Sequence, residues 1–212
     1  TGEQINAGSY EATVTELSNG NYKLPVNVTT DYVINKATHN MSGIAFNDVT
    51  VTYDGNEYEV VLDGTLPTGV EVTYTTNKGT NAGTYNATAK FTYDTANYNT
   101  IVDMNAVLTI NKFKVALPET TTSFTYDGTA KVAVAAHDLY TVTEGSATNA
   151  GSYEAVVTLN DTANYEWAES FNGKVEWTIT KATYDMSGVK FENVTVVYNG
   201  TEHVIEITGT LP

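Results

Sequence analysis

The sequence predicts an all-β protein built from a tandem array of small β-sandwich domains. Short motifs recur in a fixed order with a period of about 72 residues, which is the signature of a repeat architecture. Apolar and polar side chains alternate within each repeat, and no segment shows a convincing helical period. Because such alternation is typical of antiparallel strands that bury one face, each repeat is expected to form a two-sheet sandwich.

Four motifs define the repeat. They are Asn-Ala-Gly-Ser/Thr-Tyr at Asn6–Tyr10, Asn81–Tyr85 and Asn149–Tyr153; Tyr-Asp/Asn-Gly at Tyr53–Gly55, Tyr126–Gly128 and Tyr198–Gly200; Ile-x-Lys at Ile34–Lys36, Ile110–Lys112 and Ile179–Lys181; and Asp-Thr-Ala-Asn-Tyr at Asp94–Tyr98 and Asp161–Tyr165, with a looser counterpart at Asn21 and Tyr22. Their shared order and period indicate duplication of one unit.

The Ile-x-Lys motif sets the predicted boundaries. Cutting after each copy gives a C-terminal half repeat 1–37, full repeats 38–112 and 113–182, and an N-terminal half repeat 183–212. Joining Pro212 to Thr1 restores the Leu-Pro-Thr-Gly junction seen at Leu66–Gly69. Two interpretations follow: the chain is a window on a longer array, or three complete domains run over 1–67, 68–140 and 141–212.

Alternation identifies individual strands. One face of the segment 85–93 carries Tyr85, Ala87, Ala89, Phe91 and Tyr93, and the closing segments 104–110 and 175–179 alternate in the same way. A further strand is expected at Val70–Tyr74. The Asp-Gly and Asn-Gly pairs predict two-residue hairpin turns, because they accept positive φ. Lys131–Tyr140 is compatible with a helix or a strand.

The tyrosine of Asn-Ala-Gly-Ser/Thr-Tyr points to a type of sandwich. In immunoglobulin-like domains, a tyrosine near the start of the penultimate strand donates its hydroxyl to the preceding backbone, two residues before a cysteine. The same spacing occurs here three times, with Ala12, Ala87 and Ala155 in the cysteine position. We therefore expect small immunoglobulin-like sandwiches, with a β-grasp unit as the alternative.

The combination of Tyr-Asp-Gly, Asn-Ala-Gly-Thr-Tyr, Ala-Asn-Tyr and Ile-x-Lys-Ala resembles the MBG and YDG repeats of large bacterial surface proteins, over essentially the whole chain. The resemblance implies an extracellular, often cell-wall-attached protein whose repeats form stalks or adhesive fibres, and it implies no catalytic residues. The repeat 113–182 departs from the pattern, because it lacks the Met-Ser-Gly and Gly-Thr-Leu-Pro segments.

Composition excludes several classes of function. The net charge is −15, and the ten basic residues are all lysines, which argues against binding to nucleic acid. The sequence has no apolar run long enough to span a membrane. It has no cysteine, hence no disulfide or zinc–thiolate site. It also shows no catalytic signature, and His39, His137 and His203 occupy different places in the repeat, so we expect no enzyme.

Three further features could form functional sites, but each is also explained by an ordinary structural role. Turn carboxylates could pool ligands for calcium between neighbouring repeats, although a solvated acidic surface accounts for them without a metal. Lys36, Lys112 and Lys181 share a position that could form isopeptide cross-links, although lysines at strand ends commonly reach into water. Trp177 alternates with core positions. Trp167 is the candidate for a glycan or protein contact.

Three functions follow from these observations. The junctions Lys36–Thr38 and Lys181–Thr183 contain no flexible linker, which favours a stiff stalk that holds another domain away from a cell surface. Alternatively, the repeats are adhesive modules for glycans or surface proteins. A third possibility is a head-to-tail filament, in which 183–212 of one chain pairs with 1–37 of the next.

Overall fold

The computed structural model describes residues 3–26 and 28–209, and within them the chain is all-β, as predicted. Sixteen strands and no helix occur in these residues. The described part of the chain accordingly offers no helix that could cross a membrane. The predicted Leu-Pro-Thr-Gly junction between the chain ends falls on Thr1, Gly2, Leu211 and Pro212, which lie outside the described residues.

The chain divides into two compact units. The first comprises residues up to Lys114 together with Thr162–Glu166, and the second comprises Val115–Asp161 and the residues from Trp167 onward. The strands β9 (Phe113–Val115) and β15 (Tyr165–Trp167) each have residues in both units. The repeat boundaries inferred from sequence remain predictions.

The first unit contains one four-stranded sheet and two strand pairs. Its strands are β1 (Gly8–Thr13), β2 (Thr29–Ile34), β3 (Val49–Thr52), β4 (Tyr58–Glu59), β5 (Glu71–Thr75), β6 (Lys78–Gly79), β7 (Gly83–Thr92) and β8 (Met104–Asn111). The sheet has the order β3-β8-β7-β5, in which β3 runs parallel to β8 and the other pairs are antiparallel. The antiparallel pairs β4–β6 and β1–β2 complete the unit.

The second unit repeats this topology. Its strands are β10 (Ser123–Thr125), β11 (Lys131–Val132), β12 (Tyr140–Thr143), β13 (Ser146–Ala147), β14 (Gly151–Leu159) and β16 (Lys174–Thr180). The sheet order is β10-β16-β14-β12, again with a parallel first strand, and β11 pairs with β13. Residues 183–209 add one isolated bridge, between Lys190 and Thr208.

The alternating patterns predict the buried faces correctly. In β7 the side chains of Ala87 and Ala89 are buried, and in β8 those of Ala106, Leu108 and Ile110 are buried, whereas the residues between them face outward. β14 and β16 bury the equivalent positions, including Trp177, which is 1% exposed as expected for a core residue. Each core is therefore the inner face of a sheet whose two central strands are the longest.

The hairpin prediction at Tyr-Asp-Gly is wrong, although the turn itself is present. Gly55 has a φ of 87°, and the Asp54 carboxylate accepts a hydrogen bond from the Asn56 backbone at 2.9 Å. The flanking strands do not pair with each other, because β3 joins β8 and β4 joins β6. The segment Lys131–Tyr140, which was compatible with helix or strand, contains β11 and the start of β12.

Candidate functional site

The Asn-Ala-Gly loops share one hydrogen bond in all three copies. The hydroxyl of Tyr10 donates to the carbonyl of Asn6 at 2.8 Å, and Tyr85 and Tyr153 make the same bond to Asn81 and Asn149 at 2.8 and 2.6 Å. These are the hydroxyl-to-backbone bonds that the sequence predicts. They fix the loop that presents a backbone N–H at the alanine.

The Asp-Thr-Ala-Asn-Tyr loop is organised by its aspartate. The carboxylate of Asp94 accepts hydrogen bonds from the Asn97 side chain at 2.7 Å and from the backbone N–H groups of Ala96 and Asn97 at 2.9 and 3.3 Å. The bond from the Asn97 side chain is the main reason that the pKa of Asp94 lies below its ordinary value of 3.8, and the backbone bonds lower it further. The charged aspartate thus orients the asparagine amide.

The first copy of this loop is bonded to the preceding Asn-Ala-Gly loop. The Ala7 N–H donates to Asn97 Oδ1 at 2.7 Å, and Asn97 Nδ2 donates to Asn6 Oδ1 at 3.1 Å. The N–H of Ala37, directly after the Ile-x-Lys motif, donates to the Asn97 carbonyl at 2.9 Å. One asparagine therefore satisfies groups from both ends of the preceding repeat segment. We call this set of hydrogen bonds the asparagine junction.

A second asparagine junction has the same geometry. Ala82 N–H donates to Asn164 Oδ1 at 2.7 Å, Asn164 Nδ2 donates to Asn81 Oδ1 at 3.2 Å, and Phe113 N–H donates to the Asn164 carbonyl at 2.9 Å. At 6% exposure, Asn164 is the only buried polar residue in the described part of the chain. Burial of an amide is costly unless its hydrogen bonds are made, which indicates a specific structural role.

The repeated lysines take part in these junctions. Lys36 Nζ donates to the Thr95 carbonyl at 2.6 Å, and Lys112 Nζ donates to the Thr162 carbonyl at 2.6 Å. Lys181 lines a shallow depression with Tyr126, Asn149, Ala150 and Ala182. Isopeptide cross-links at the three lysines remain a prediction, which intact-mass measurement tests through the loss of one ammonia per link.

Aromatic rings pack against each other beside both asparagine junctions. Tyr53 meets Tyr165 edge to face, with centroids 5.5 Å apart. At the first junction, His39 stacks on Tyr98 with centroids 3.9 Å apart, and its Nε2 is buried without a hydrogen-bond partner in the described residues. The polar bonds that the two copies share therefore lie beside aromatic contacts that differ between them.

Trp167, the sequence candidate for a ligand contact, lies within an aromatic cluster. Its ring centroid is 5.6 Å from that of Tyr140 and 5.2 Å from that of Phe171, and the side chain is partly buried. Tyr140 in turn stacks on His137 at 4.9 Å. These contacts give Trp167 a packing role, and ligand binding by this residue remains a prediction.

Turn carboxylates are engaged locally. Asp127 accepts a hydrogen bond from Lys131 Nζ at 2.5 Å, and this bond, followed by those from Thr129, holds the pKa of Asp127 well below its usual range. No three His, Asp or Glu side chains form a metal-binding group within residues 3–26 and 28–209. Calcium between repeats remains an expectation from the sequence.

Sequence reasoning missed the asparagine junction. Its signal was present, because the Asn-Ala-Gly motifs at Asn6 and Asn81 are followed 91 and 83 residues later by the asparagines of Ala-Asn-Tyr, Asn97 and Asn164. Recognising the contact required knowing that the loops after β7 and β14 fold against Asn-Ala-Gly loops far earlier in the sequence, which spacing alone does not specify. No family model, curated protein or solved structure matches this chain.

Proposed function

We propose that this chain is a stalk or spacer segment of an extracellular bacterial surface protein, built from tandem immunoglobulin-like repeats and without catalytic activity. The observation that carries the proposal is the asparagine junction, which occurs twice with matching hydrogen bonds from Asn97 and Asn164. A contact that occurs at the same position in successive repeats is expected to hold the repeats together, whereas a ligand site does not need to be repeated.

Strand order supports the immunoglobulin-like assignment. In such sandwiches one sheet contains the third, penultimate and last strands as neighbours, and the second and fifth strands pair in the other sheet. In a sandwich that lacks the fourth strand, the sheet order β5-β7-β8 and the pair β4–β6 correspond to that arrangement, and the second unit repeats it with β12-β14-β16 and β11–β13. The hydroxyl bonds of Tyr85 and Tyr153 occupy the corner expected at the start of the penultimate strand.

The junction chemistry supports stiffness. Between Lys36 and Thr38 the chain passes from one repeat to the next without a linker, and Ala37 is bonded on both sides: its N–H donates to Asn97 O at 2.9 Å, and its carbonyl accepts from Asn99 N–H at 2.8 Å. Side-chain bonds from Lys36 and Asn97 add to these. Such connections restrict rotation far more than a Gly/Ser linker would.

Charge and the resemblance to MBG and YDG repeats support the setting. A net charge of −15 keeps neighbouring stalks apart in solution. The extracellular location, with attachment to the cell wall through other segments, follows from the resemblance. Within this setting the partners of each repeat are its neighbours in the same chain.

Binding measurements test the spacer role against the adhesive alternative. The purified chain is expected to show no saturable binding on a glycan array or to host surface proteins, and its calorimetric unfolding transition should be unchanged by added glycans. Specific, saturable binding that raises the unfolding temperature would contradict a pure spacer and favour an adhesive module.

A further inference from the structure

The Tyr-Asp/Asn-Gly turn occurs three times, and its third copy differs from the other two in one functional group. The central residue is an aspartate in the repeats 38–112 and 113–182, at Asp54 and Asp127, and an asparagine at Asn199. Glycine follows in each copy, with a φ between 78° and 87°. The turns therefore share a glycine in the left-handed region, while one of them carries an amide where the others carry a carboxylate.

The third turn supplies the same hydrogen-bond donors as the second. Asp127 Oδ1 accepts from the Thr129 N–H at 2.9 Å and from the Thr129 hydroxyl at 2.7 Å. Asn199 Oδ1 accepts the same two bonds from Thr201, at 3.1 and 2.7 Å. Because a carboxylate only accepts hydrogen bonds, such a set of donors suits an aspartate. The turn around Asn199 is therefore ready to receive a carboxylate.

The residue four positions after the turn residue is also a donor in each copy. In the two full repeats its side chain donates to the second carboxylate oxygen, from the Tyr58 hydroxyl at 2.8 Å and from Lys131 Nζ. The residue at that position after Asn199 is His203. An imidazole N–H can donate to a carboxylate, whereas the amide nitrogen of Asn199 is itself a donor. A carboxylate at position 199 therefore fits this sequence better than the amide does.

The peptide group after Asn199 is accessible. At the turn glycines of both full repeats, Gly55 and Gly128, an added Cβ meets no atom within 4 Å, and the same holds at Gly200. The Gly200 N–H has no hydrogen-bond partner within residues 3–26 and 28–209. Glycine also has no side chain that could shield this nitrogen. The Gly200 nitrogen can therefore approach the side chain of Asn199.

We propose that Asn199 deamidates without an enzyme, which gives the third turn the Asp-Gly sequence of the other two. The Gly200 nitrogen loses its proton to solvent and bonds to Cγ of Asn199. The bond from Cγ to Nδ2 breaks, and Nδ2 takes a proton and leaves as ammonia. Water that attacks Cγ opens the resulting succinimide ring to aspartate, and water that attacks the backbone carbonyl carbon opens it to isoaspartate. Water is the only co-reactant, and the chain gains one negative charge.

Thr201 assists the closure of the ring. As the Gly200 nitrogen bonds to Cγ, negative charge develops on Oδ1 of Asn199, the atom to which the N–H and the hydroxyl of Thr201 donate. Donors that are already in place at an oxygen where charge develops lower the barrier, as they do in an oxyanion hole. Thr201 thus contacts a reacting atom and takes part in the reaction directly.

Two other Asn-Gly pairs, at Asn19 and Asn172, provide references within the same chain. The side-chain oxygen of each accepts one bond from a backbone N–H, at 3.0 and 2.9 Å, and neither has a hydroxyl donor within the described residues. Gly173 is also held against β14, because its carbonyl accepts from the Val157 N–H at 2.7 Å. Asn199 should therefore react fastest, Asn19 more slowly and Asn172 most slowly.

Peptide mapping by mass spectrometry tests this order on the full chain aged in mildly alkaline buffer. The peptide that contains Asn199 should lose ammonia and gain water before the peptides that contain Asn19 and Asn172, and isoelectric focusing should show negative charge added to the formal net charge of −15. In urea the three rates should approach one another, because the hydrogen bonds that distinguish the sites are then lost. If Asn199 reacts no faster than Asn19 in the folded chain, the proposal is overturned.

Two variants test the chemistry. T201V keeps the branched shape of Thr201 but removes its hydroxyl, and it should slow the reaction at Asn199 about two- to tenfold, which is the net effect of one hydrogen bond. The rate at Asn19 should stay the same. N199Q keeps an amide but would have to close a six-membered ring, so it should show no conversion at this position. An unchanged rate in T201V overturns the proposal, and none of these outcomes bears on the stalk role.

Discussion

At the scale of single residues, two asparagines each join an Asn-Ala-Gly loop to the residue that follows an Ile-x-Lys motif. In Asn97 and in Asn164 the amide oxygen and the amide nitrogen bond to the Asn-Ala-Gly loop, and the backbone carbonyl accepts from Ala37 and Phe113, respectively. An aspartate could accept the backbone bond but could not donate to Asn6 or Asn81, so the amide is required for the full set.

Replacing Asn164 tests this requirement. N164A removes the acceptor of the Ala82 N–H and is expected to lower the free energy of unfolding by about 1–3 kcal/mol, because a partly buried donor is left unpaired. Urea denaturation and hydrogen exchange of the Ala82 amide measure the effect. N21A is the matched control: Asn21 is exposed, and its replacement should change stability by less than about 0.5 kcal/mol.

Acid should weaken the first junction through Asp94. Its pKa lies below the ordinary value of 3.8, chiefly because the Asn97 side chain donates to it. Since the folded chain favours the charged form, the stabilisation is complete above that ordinary value and is lost as the pH falls through the lowered pKa. Hydrogen-exchange protection of the Ala7 amide should therefore fall in this range. D94N should lack the acid-dependent loss, and equal pH dependence in both proteins would contradict the assignment.

At the scale of strands and turns, the sequence predicts which face of a strand is buried more reliably than it predicts which strands pair. Alternation identified the buried sides of β7, β8, β14 and β16 because the side-chain period is a local property. The hairpin at Asp54-Gly55 was wrong because a turn with positive φ fixes chain reversal, whereas pairing depends on which sheet each strand joins. The parallel pairing of β3 with β8 joins strands that lie far apart in the sequence, and no sequence motif indicates it.

The Gly64 turn provides a test at this scale. Gly64 has a φ of 109°, and a Cβ at this position would overlap the carbonyl oxygen of Gly43, beside the bridge between Ala45 and Asp63. G64A should therefore destabilise the first unit by about 1–3 kcal/mol. G43A is the control, since a Cβ there meets no atom within 4 Å. Similar unfolding midpoints in urea for the two variants would contradict this account.

Replacing a tyrosine by phenylalanine tests whether the hydroxyl bond stabilises the Asn-Ala-Gly loop. Y85F deletes the 2.8 Å bond to the Asn81 carbonyl and should lower the free energy of unfolding by about 0.5–1.5 kcal/mol while keeping the ring in place. Y126F, at an exposed tyrosine, should have little effect. If Y85F and Y126F unfold alike in urea, the hydroxyl bond does not stabilise the loop that holds Asn81 and Ala82.

At the scale of the whole molecule, the proposed role requires repeats that keep a fixed direction from one to the next. The sequence suggested this from the absence of a linker at Lys36–Thr38, and the asparagine junction supplies bonds that could enforce it. The motifs fix the positions of these groups in each repeat, but only folded loops bring Asn97 to Ala7 and Asn164 to Ala82.

Small-angle X-ray scattering of the chain in dilute solution tests this claim most directly. A rod of three repeats, each about 35 Å long, has a radius of gyration of about 30 Å, whereas a compact chain of this length has a radius of about 17 Å. The account predicts a value near 30 Å that falls when N97A and N164A are added. A compact value, or one that the junction substitutions leave unchanged, would contradict a stiff array held by its asparagines.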